Sequence, residues 1–195
     1  MKIVGLTGGI GMGKSTAALA FRRARIPVFD ADATVHTLQS RGGRAIPVLD
    51  REFPGTIRDG VLDRAAMRQA VLGKPDALKR LERILHPMVR QEENAFLARA
   101  RRRGCRVAVL DVPLLLETME GRNLDKIVVV SAPRAIQIHR VRLRRRMSAE
   151  DIAAIISRQM PDAEKRRQAD VVIKTGLSRN HTLKALHRLI RDLRA

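Results

Sequence analysis

The sequence predicts an α/β protein, a parallel sheet flanked by helices with helical additions. Three observations predict it. Five short apolar segments rich in β-branched residues are interleaved with segments of helical period, the order that parallel βαβ units require. The first of them ends in a glycine-rich turn that opens directly into a helix. Between residues 45 and 104 the strand signal nearly vanishes and helical periodicity takes over, as in an insert between two strands of one sheet. At 195 residues the chain has the length of one domain with room for such an insert.

Each element has a local reason. Lys2-Ile3-Val4-Gly5-Leu6-Thr7 is apolar throughout and closed by glycines, as a strand buried on both faces would be. Lys14 to Ala24 follows as a helix, with Ala17, Ala20, Phe21 and Ala24 spaced by three and four. Ile26-Pro27-Val28-Phe29 is a second strand, with Asp30-Ala31-Asp32 at its carboxyl end. The insert is punctuated at Phe53-Pro54-Gly55, Asp59-Gly60, Gly73-Lys74-Pro75 and His86-Pro87. Strands resume at Arg106–Asp111 and Lys126–Val130. From Pro133 to Gln159 an Arg-rich stretch reads as a helical hairpin, broken where Ser148-Ala149-Glu150-Asp151 offers an N-cap with an acid three residues on. Asp170-Val171-Val172-Ile173 is the last strand. Leu183, Leu186, Ile190 and Leu193 mark a closing amphipathic helix.

Composition excludes several classes. Hydrophobic residues at 45% and charged residues at 30% are those of a folding chain, not a disordered one. No apolar run reaches the ~18 residues that a membrane span needs, and no signal-peptide pattern precedes the first glycines. The single Cys105 permits no internal disulfide and no cysteine-rich metal site. A cytoplasmic protein without a membrane partner is therefore expected, with a monomer or weak homo-oligomer as its state. The net charge of +19 favours phosphate-rich partners, so nucleic acid must be weighed. Against it, the charge is spread along the chain and 31 of the 39 basic residues are Arg, a compositional bias. There is also no Trp or Tyr and only four Phe, too few for base-stacking platforms. No obligate nucleic-acid partner is expected.

Gly8-Gly9-Ile10-Gly11-Met12-Gly13-Lys14-Ser15 fits the pattern G-x-x-x-x-G-K-[ST], and Thr16 follows. Glycines in such a loop let backbone N–H groups turn towards phosphates, and the following helix adds the positive end of its dipole. Lys14 would reach the β- and γ-phosphates of ATP, and the Ser15 hydroxyl would ligate Mg2+. The phosphate-binding residues expected from the motif are its glycines, Gly9, Gly11 and Gly13 among them, with Lys14 and Ser15. A metal-side carboxylate is expected at the end of a neighbouring strand, and Asp111 is the candidate. A hydroxyl attacking a γ-phosphate needs a carboxylate to orient it and take its proton. Asp32 is favoured over Asp30, with capping of a helix starting near Ala33 as the alternative. Arg140 and Arg144 lie four apart in the Arg-rich run and share a helix face, from which both could close over a triphosphate. As a lid, residues 138–160 would exclude water from the transfer.

With these motifs placed, the chain resembles the dephospho-CoA kinase family over nearly its whole length. The resemblance rests on Gly5 to Thr16, Asp30-Ala31-Asp32, Leu85-His86-Pro87, Leu110-Asp111-Val112-Pro113-Leu114-Leu115-Leu116-Glu117, Arg140 with Arg144, Gln159-Met160 and Ala169 to Ile173. It implies one kinase domain over residues 1–195 with a five-stranded parallel core of the P-loop type. It also implies that residues 45–104 form an acceptor-side insert and that 138–160 form the lid. The implied reaction is ATP-dependent phosphorylation of the ribose 3′-hydroxyl of dephospho-CoA, giving CoA and ADP. The implied ATP-binding residues are Gly9, Gly11, Met12, Gly13, Lys14, Ser15 and Thr16, and the implied acceptor-side residues are Thr7, Asp32, His86 and Glu117, with Arg140 meeting phosphates from the lid. Two positions depart from the family's habit. Met12 stands where a small residue such as Ser is common, and Thr175 where Asn often precedes Gly176.

Overall fold

The structure, a computed structural model, describes residues 1–117, 123–145, 148–157 and 159–195. The side chains of Arg144, Arg145 and Ala149 also lie outside the described residues. The chain divides into two compact units, Met1–Phe29 with Arg99–Ala195, and Asp30–Ala98. In chain order the elements begin with β1 (Lys2–Thr7), α1 (Lys14–Arg23) and β2 (Val28–Asp30). Then come α2 (Ala31–Leu38), α3 (Ile46–Glu52), β3 (Ile57–Arg58), β4 (Val61–Leu62), α4 (Arg64–Val71) and α5 (Pro75–Arg102). The last part holds β5 (Val107–Asp111), β6 (Lys126–Ser131), α6 (Arg134–Arg145), α7 (Ala149–Ser157), α8 (Asp162–Arg167), β7 (Val171–Lys174) and α9 (Arg179–Arg194).

In the first unit five strands form one sheet in the order β2-β5-β1-β6-β7, the expected parallel α/β core. Strand β1 is central. It pairs in parallel with β5, Leu6 opposite Asp111, and with β6, Thr7 opposite Val129. Both β1 after Lys2 and all of β5 are buried, which is why these strands read as continuous apolar runs without alternation. Val4, Leu6, Val109 and Val128 meet Phe21 of α1 and Leu186, Ile190 and Leu193 of α9 in one apolar cluster. The spacings of four and three along α9 put its last three on one stripe, and Ser178 caps the helix by accepting from His181 N–H at 3.1 Å. The register brings Thr7, Asp111 and Ser131 to the carboxyl edge of the sheet, where open α/β sheets carry their sites.

The second unit is helical with one exception. Strands β3 and β4 form a small antiparallel hairpin turned by Asp59 and Gly60, both at positive φ. Two-residue strands are too short for alternation to show in a sequence; only the Asp-Gly pair marks them. Asp63 caps α4, its Oδ1 accepting from Ala65 and Ala66 N–H at 2.9 and 3.0 Å. The Ala66 bond first, then the Ala65 bond and nearby Arg58, hold its carboxyl below the usual range.

One expectation is corrected here. His86-Pro87 does not break the chain, because α5 runs through Pro87 for 28 residues. A proline inside a helix costs ~3 kcal/mol. Leu85, Val89 and Leu97 are buried along the same helix, and full burial of such side chains stabilises by roughly 1.5–3 kcal/mol each, enough to carry it across. The second compact unit runs from Asp30 to Ala98 and so includes α2. Among the described residues, no helix is long and apolar enough to cross a membrane.

Candidate functional site

The glycine-rich turn between β1 and α1 forms an open loop of backbone N–H groups. Gly11 and Gly13 have φ of +74° and +93°, in the left-handed region that side chains resist. A side-chain carbon at Gly11 would also fall 2.7 Å from Val141 Cγ2 and 2.9 Å from Gln137 O. The loop is tied internally by Met12 N–H to Gly9 O at 3.1 Å, and α1 starts with Thr16 N–H on Gly13 O at 3.0 Å. Among the described residues, the backbone N–H groups of Gly11, Gly13, Lys14 and Ser15 have no backbone acceptor. Orphan donors at a helix start, together with the helix dipole, make an anion site.

Lys14 Nζ lies 2.6 Å from Asp111 Oδ1, and the two side chains are 17% and 4% exposed. The parallel register of β1 and β5 delivers Asp111 to this place, so the structure brings the loop lysine and the strand-end carboxylate together. Ser15 stands exposed in the first turn of α1. Thr7 is fully buried at the end of β1, where its hydroxyl donates to Pro113 O at 2.9 Å and fixes the turn that follows Asp111.

Met12 points away from the loop mouth. Its side chain is buried in the core, and its Sδ accepts from Ala132 N–H at 3.1 Å. Arg140 of α6 lies against the loop from another side. Its Nη2 donates to Thr175 O at 2.6 Å, and its Nη1 to Thr175 Oγ1 at 3.1 Å and to Gly11 O at 3.5 Å. Thr175 in turn donates its hydroxyl to Met12 O at 2.6 Å. Thr175 thus joins the loop, the end of β7 and the α6 arginine. Arg144 follows one turn later in α6, and its side chain is outside the described residues.

Glu117 carries two partners. Its Oε1 accepts from Lys165 Nζ at 2.8 Å and from Met160 N–H at 3.0 Å. Lys165 is only 1% exposed, so this carboxylate balances a buried ammonium. Removing one partner of a buried pair leaves an uncompensated charge. Glu117→Ala is expected to destabilise the fold by about 3 kcal/mol, read from chemical denaturation, whereas a purely surface role would leave the midpoint in place.

In the second unit the two aspartates separate. Asp30 is the N-cap of α2, its Oδ1 accepting from Ala33 N–H at 3.0 Å. Asp32 lies in the first turn, exposed, and makes no hydrogen bond or ion pair among the described residues. The capping role considered for Asp32 therefore belongs to Asp30. His86 is exposed on α5.

Gln137, Lys165 and Thr175 are buried polar side chains whose partners are distant in the chain, so no local pattern announces their contacts. A cavity of about 710 Å³ opens beside Gly9 and Met12, lined also by Pro133, Gln159, Lys165 and Gly176.

Comparison with known proteins follows the same lines. The family profile described as dephospho-CoA kinase matches residues 2–180. A dephospho-CoA kinase of Gluconobacter oxydans is 50% identical over 198 residues, spanning 100% of this chain and 98% of that protein. A crystal structure of a Thermus thermophilus protein superposes with a TM-score of 0.86 at 34% identity, covering 98% of this chain and 96% of that one. A dephospho-CoA kinase from Campylobacter jejuni shares the fold at a TM-score of 0.67 and 20% identity, covering 98% and 97%. A match of profile and relatives along the whole length, on a chain whose loop, Lys14 and Asp111 are assembled as above, places this protein in the dephospho-CoA kinase family.

Proposed function

We propose that this protein transfers the γ-phosphoryl group of ATP to the ribose 3′-hydroxyl of dephospho-CoA, giving CoA and ADP, the last step of coenzyme A synthesis. The observation that carries the reading is the Lys14–Asp111 pair at the mouth of the N–H loop, in a chain half identical to a dephospho-CoA kinase along its length.

In this reading the free N–H groups from Gly11 to Ser15 cradle the triphosphate, with Gly9, Met12 and Thr16 shaping the loop that presents them. Lys14 leaves Asp111 for the β- and γ-phosphate oxygens, where a positive charge is worth most as the transferring group loosens. The Ser15 hydroxyl and the Asp111 carboxylate are hard oxygen donors and would hold Mg2+. Bound there, the ion would neutralise charge on the phosphates. Arg140, already beside Gly11, contacts phosphates, and Arg144 joins it from the next turn.

Asp32 orients the acceptor hydroxyl and takes its proton as the new O–P bond forms and the bond from the γ-phosphorus to the β-bridging oxygen breaks. His86 contacts the acceptor. Thr7 and Glu117 serve the acceptor side through the segment after Asp111 that they hold at its two ends. Residues 45–104 form the acceptor-side insert, and 138–160 the lid that excludes water. The protein acts in the cytoplasm, as a monomer or weak homo-oligomer, with no obligate nucleic-acid or membrane partner.

The test is direct. Protein, ATP, Mg2+ and dephospho-CoA are mixed, and ADP formation is followed together with the product's mass, with adenosine, AMP, shikimate and RNA in parallel. A gain of one phosphate on dephospho-CoA alone is the expected result. ADP release indifferent to dephospho-CoA would discard the acceptor and leave only the nucleotide site.

A further inference from the structure

Two glutamines outside the loop hold the backbone of Ile10 within it. Gln137 Nε2 donates to Ile10 O at 2.9 Å, and Gln159 Oε1 accepts from Ile10 N–H at 3.1 Å. They come from opposite ends of the hairpin of α6 and α7: Gln137 lies in the first turns of α6, and Gln159 two residues beyond α7. Gln137 is 3% exposed. The two amides converge, since a side-chain carbon placed on Gly9 would lie 3.2 Å from Gln137 Nε2 and 3.2 Å from Gln159 Oε1. Because each amide faces a backbone group of fixed polarity, Gln137 must present its NH2 and Gln159 its oxygen.

Peptide geometry turns these two bonds into a constraint on the anion site. The chain has no cis peptide among the described residues, so the C=O and N–H of each peptide unit point in opposite directions. With Ile10 O drawn to Gln137, the N–H of Gly11 in the same unit is aimed away from α6. With Ile10 N–H drawn to Gln159, the Gly9 carbonyl in that unit is turned the other way, where it meets Met12 N–H at 3.1 Å. Gly11 has no side chain and a positive φ, so nothing in the residue itself would hold this orientation.

We propose that Gln137 and Gln159 are positioning residues for ATP, a clamp of opposite polarities on the Ile10 peptides that aims the Gly11 N–H at the triphosphate. This deepens the kinase reading and rests on it. The clamp also makes the loop's shape depend on both ends of the α6–α7 hairpin.

The polarity makes the test specific. Gln137→Glu and Gln159→Glu each add one negative charge at nearly the same point, so repulsion of ATP is common to both. They differ in hydrogen bonding: a carboxylate at 159 still accepts from Ile10 N–H, whereas one at 137 faces Ile10 O and forces the peptide to turn. ATP affinity, measured by calorimetric titration in Mg2+ buffer without acceptor, is expected to be about tenfold weaker for Gln137→Glu than for Gln159→Glu, the scale of one hydrogen bond exchanged for an unsatisfied group. Equal losses at the two positions, or no loss at either, would overturn the clamp.

Should Gln137→Glu fail to fold, Gln137→Met and Gln159→Met remove the bonds without charge. Each is expected to raise the KM for ATP about fivefold, with kcat and the KM for dephospho-CoA changed less than twofold. A fall in kcat alone would show general damage instead and equally overturn it. ATP binding by the unaltered protein without turnover of dephospho-CoA would fault the acceptor assignment while leaving the clamp comparison readable.

Discussion

Lys14→Ala is expected to lower kcat by about 10²- to 10³-fold, the cost of removing one preorganised charge from a developing anion. The loss should exceed any loss of ATP affinity. The N–H groups of Gly11, Gly13 and Ser15, which have no backbone acceptor among the described residues, remain to hold the triphosphate, while the proposed part of the lysine is to follow charge onto the β–γ bridge. The substitution also has a structural arm. Asp111 is nearly buried and loses the ammonium that lies 2.6 Å away, so the variant should unfold at lower denaturant as well. Lys14→Met separates the two arms, because it fills the space of the alkyl stem without restoring charge. If catalysis is the larger effect, both variants lose kcat alike although their stabilities differ. Turnover near that of the unaltered protein in either variant would sink the assignment. Asp111→Asn offers a complementary reading: it relaxes the lysine but removes a carboxylate from the proposed metal side, so its activity should fall and should respond to Mg2+ concentration.

How much of this could be read without coordinates depends on how local each signal is. The loop, its lysine and the strand before it lie within Lys2 to Ser15, and the motif carries its own context. Asp111 was legible because a fully buried strand is an unbroken apolar run and the carboxylate closes it. The hairpin of β3 and β4 was not, since two-residue strands have no period. Pro87 misleads for a different reason. Local propensity says stop, and the apolar stripe of Leu85, Val89 and Leu97 outweighs it. Gln137 and Thr175 were invisible because their partners lie 127 and 163 residues away, at Ile10 and Met12. A buried hydrogen bond between distant segments has no signature in either segment alone.

Asp32→Asn is expected to have the second largest effect, a fall in kcat of about 10²- to 10⁴-fold with ATP affinity nearly unchanged. Asparagine keeps the size and one acceptor oxygen, so it can still meet a hydroxyl, but it cannot take the proton at neutral pH. A base therefore loses kcat, whereas a residue that only binds the acceptor would raise the KM for dephospho-CoA and leave kcat largely intact. Asp32→Glu should recover part of the rate, since it restores the carboxylate at the wrong length. The neighbouring acid supplies the control. Asp30 accepts from Ala33 N–H as the cap of α2, a bond that asparagine can also make, so Asp30→Asn should keep the cap, while losing it in Asp30→Ala should cost about 1 kcal/mol of stability. The two aspartates are two positions apart and differ in place: Asp30 caps the helix, and Asp32 lies exposed in its first turn. Loss of ATP binding in Asp32→Asn, with kcat preserved at saturation, would move Asp32 from the acceptor to the metal or the loop.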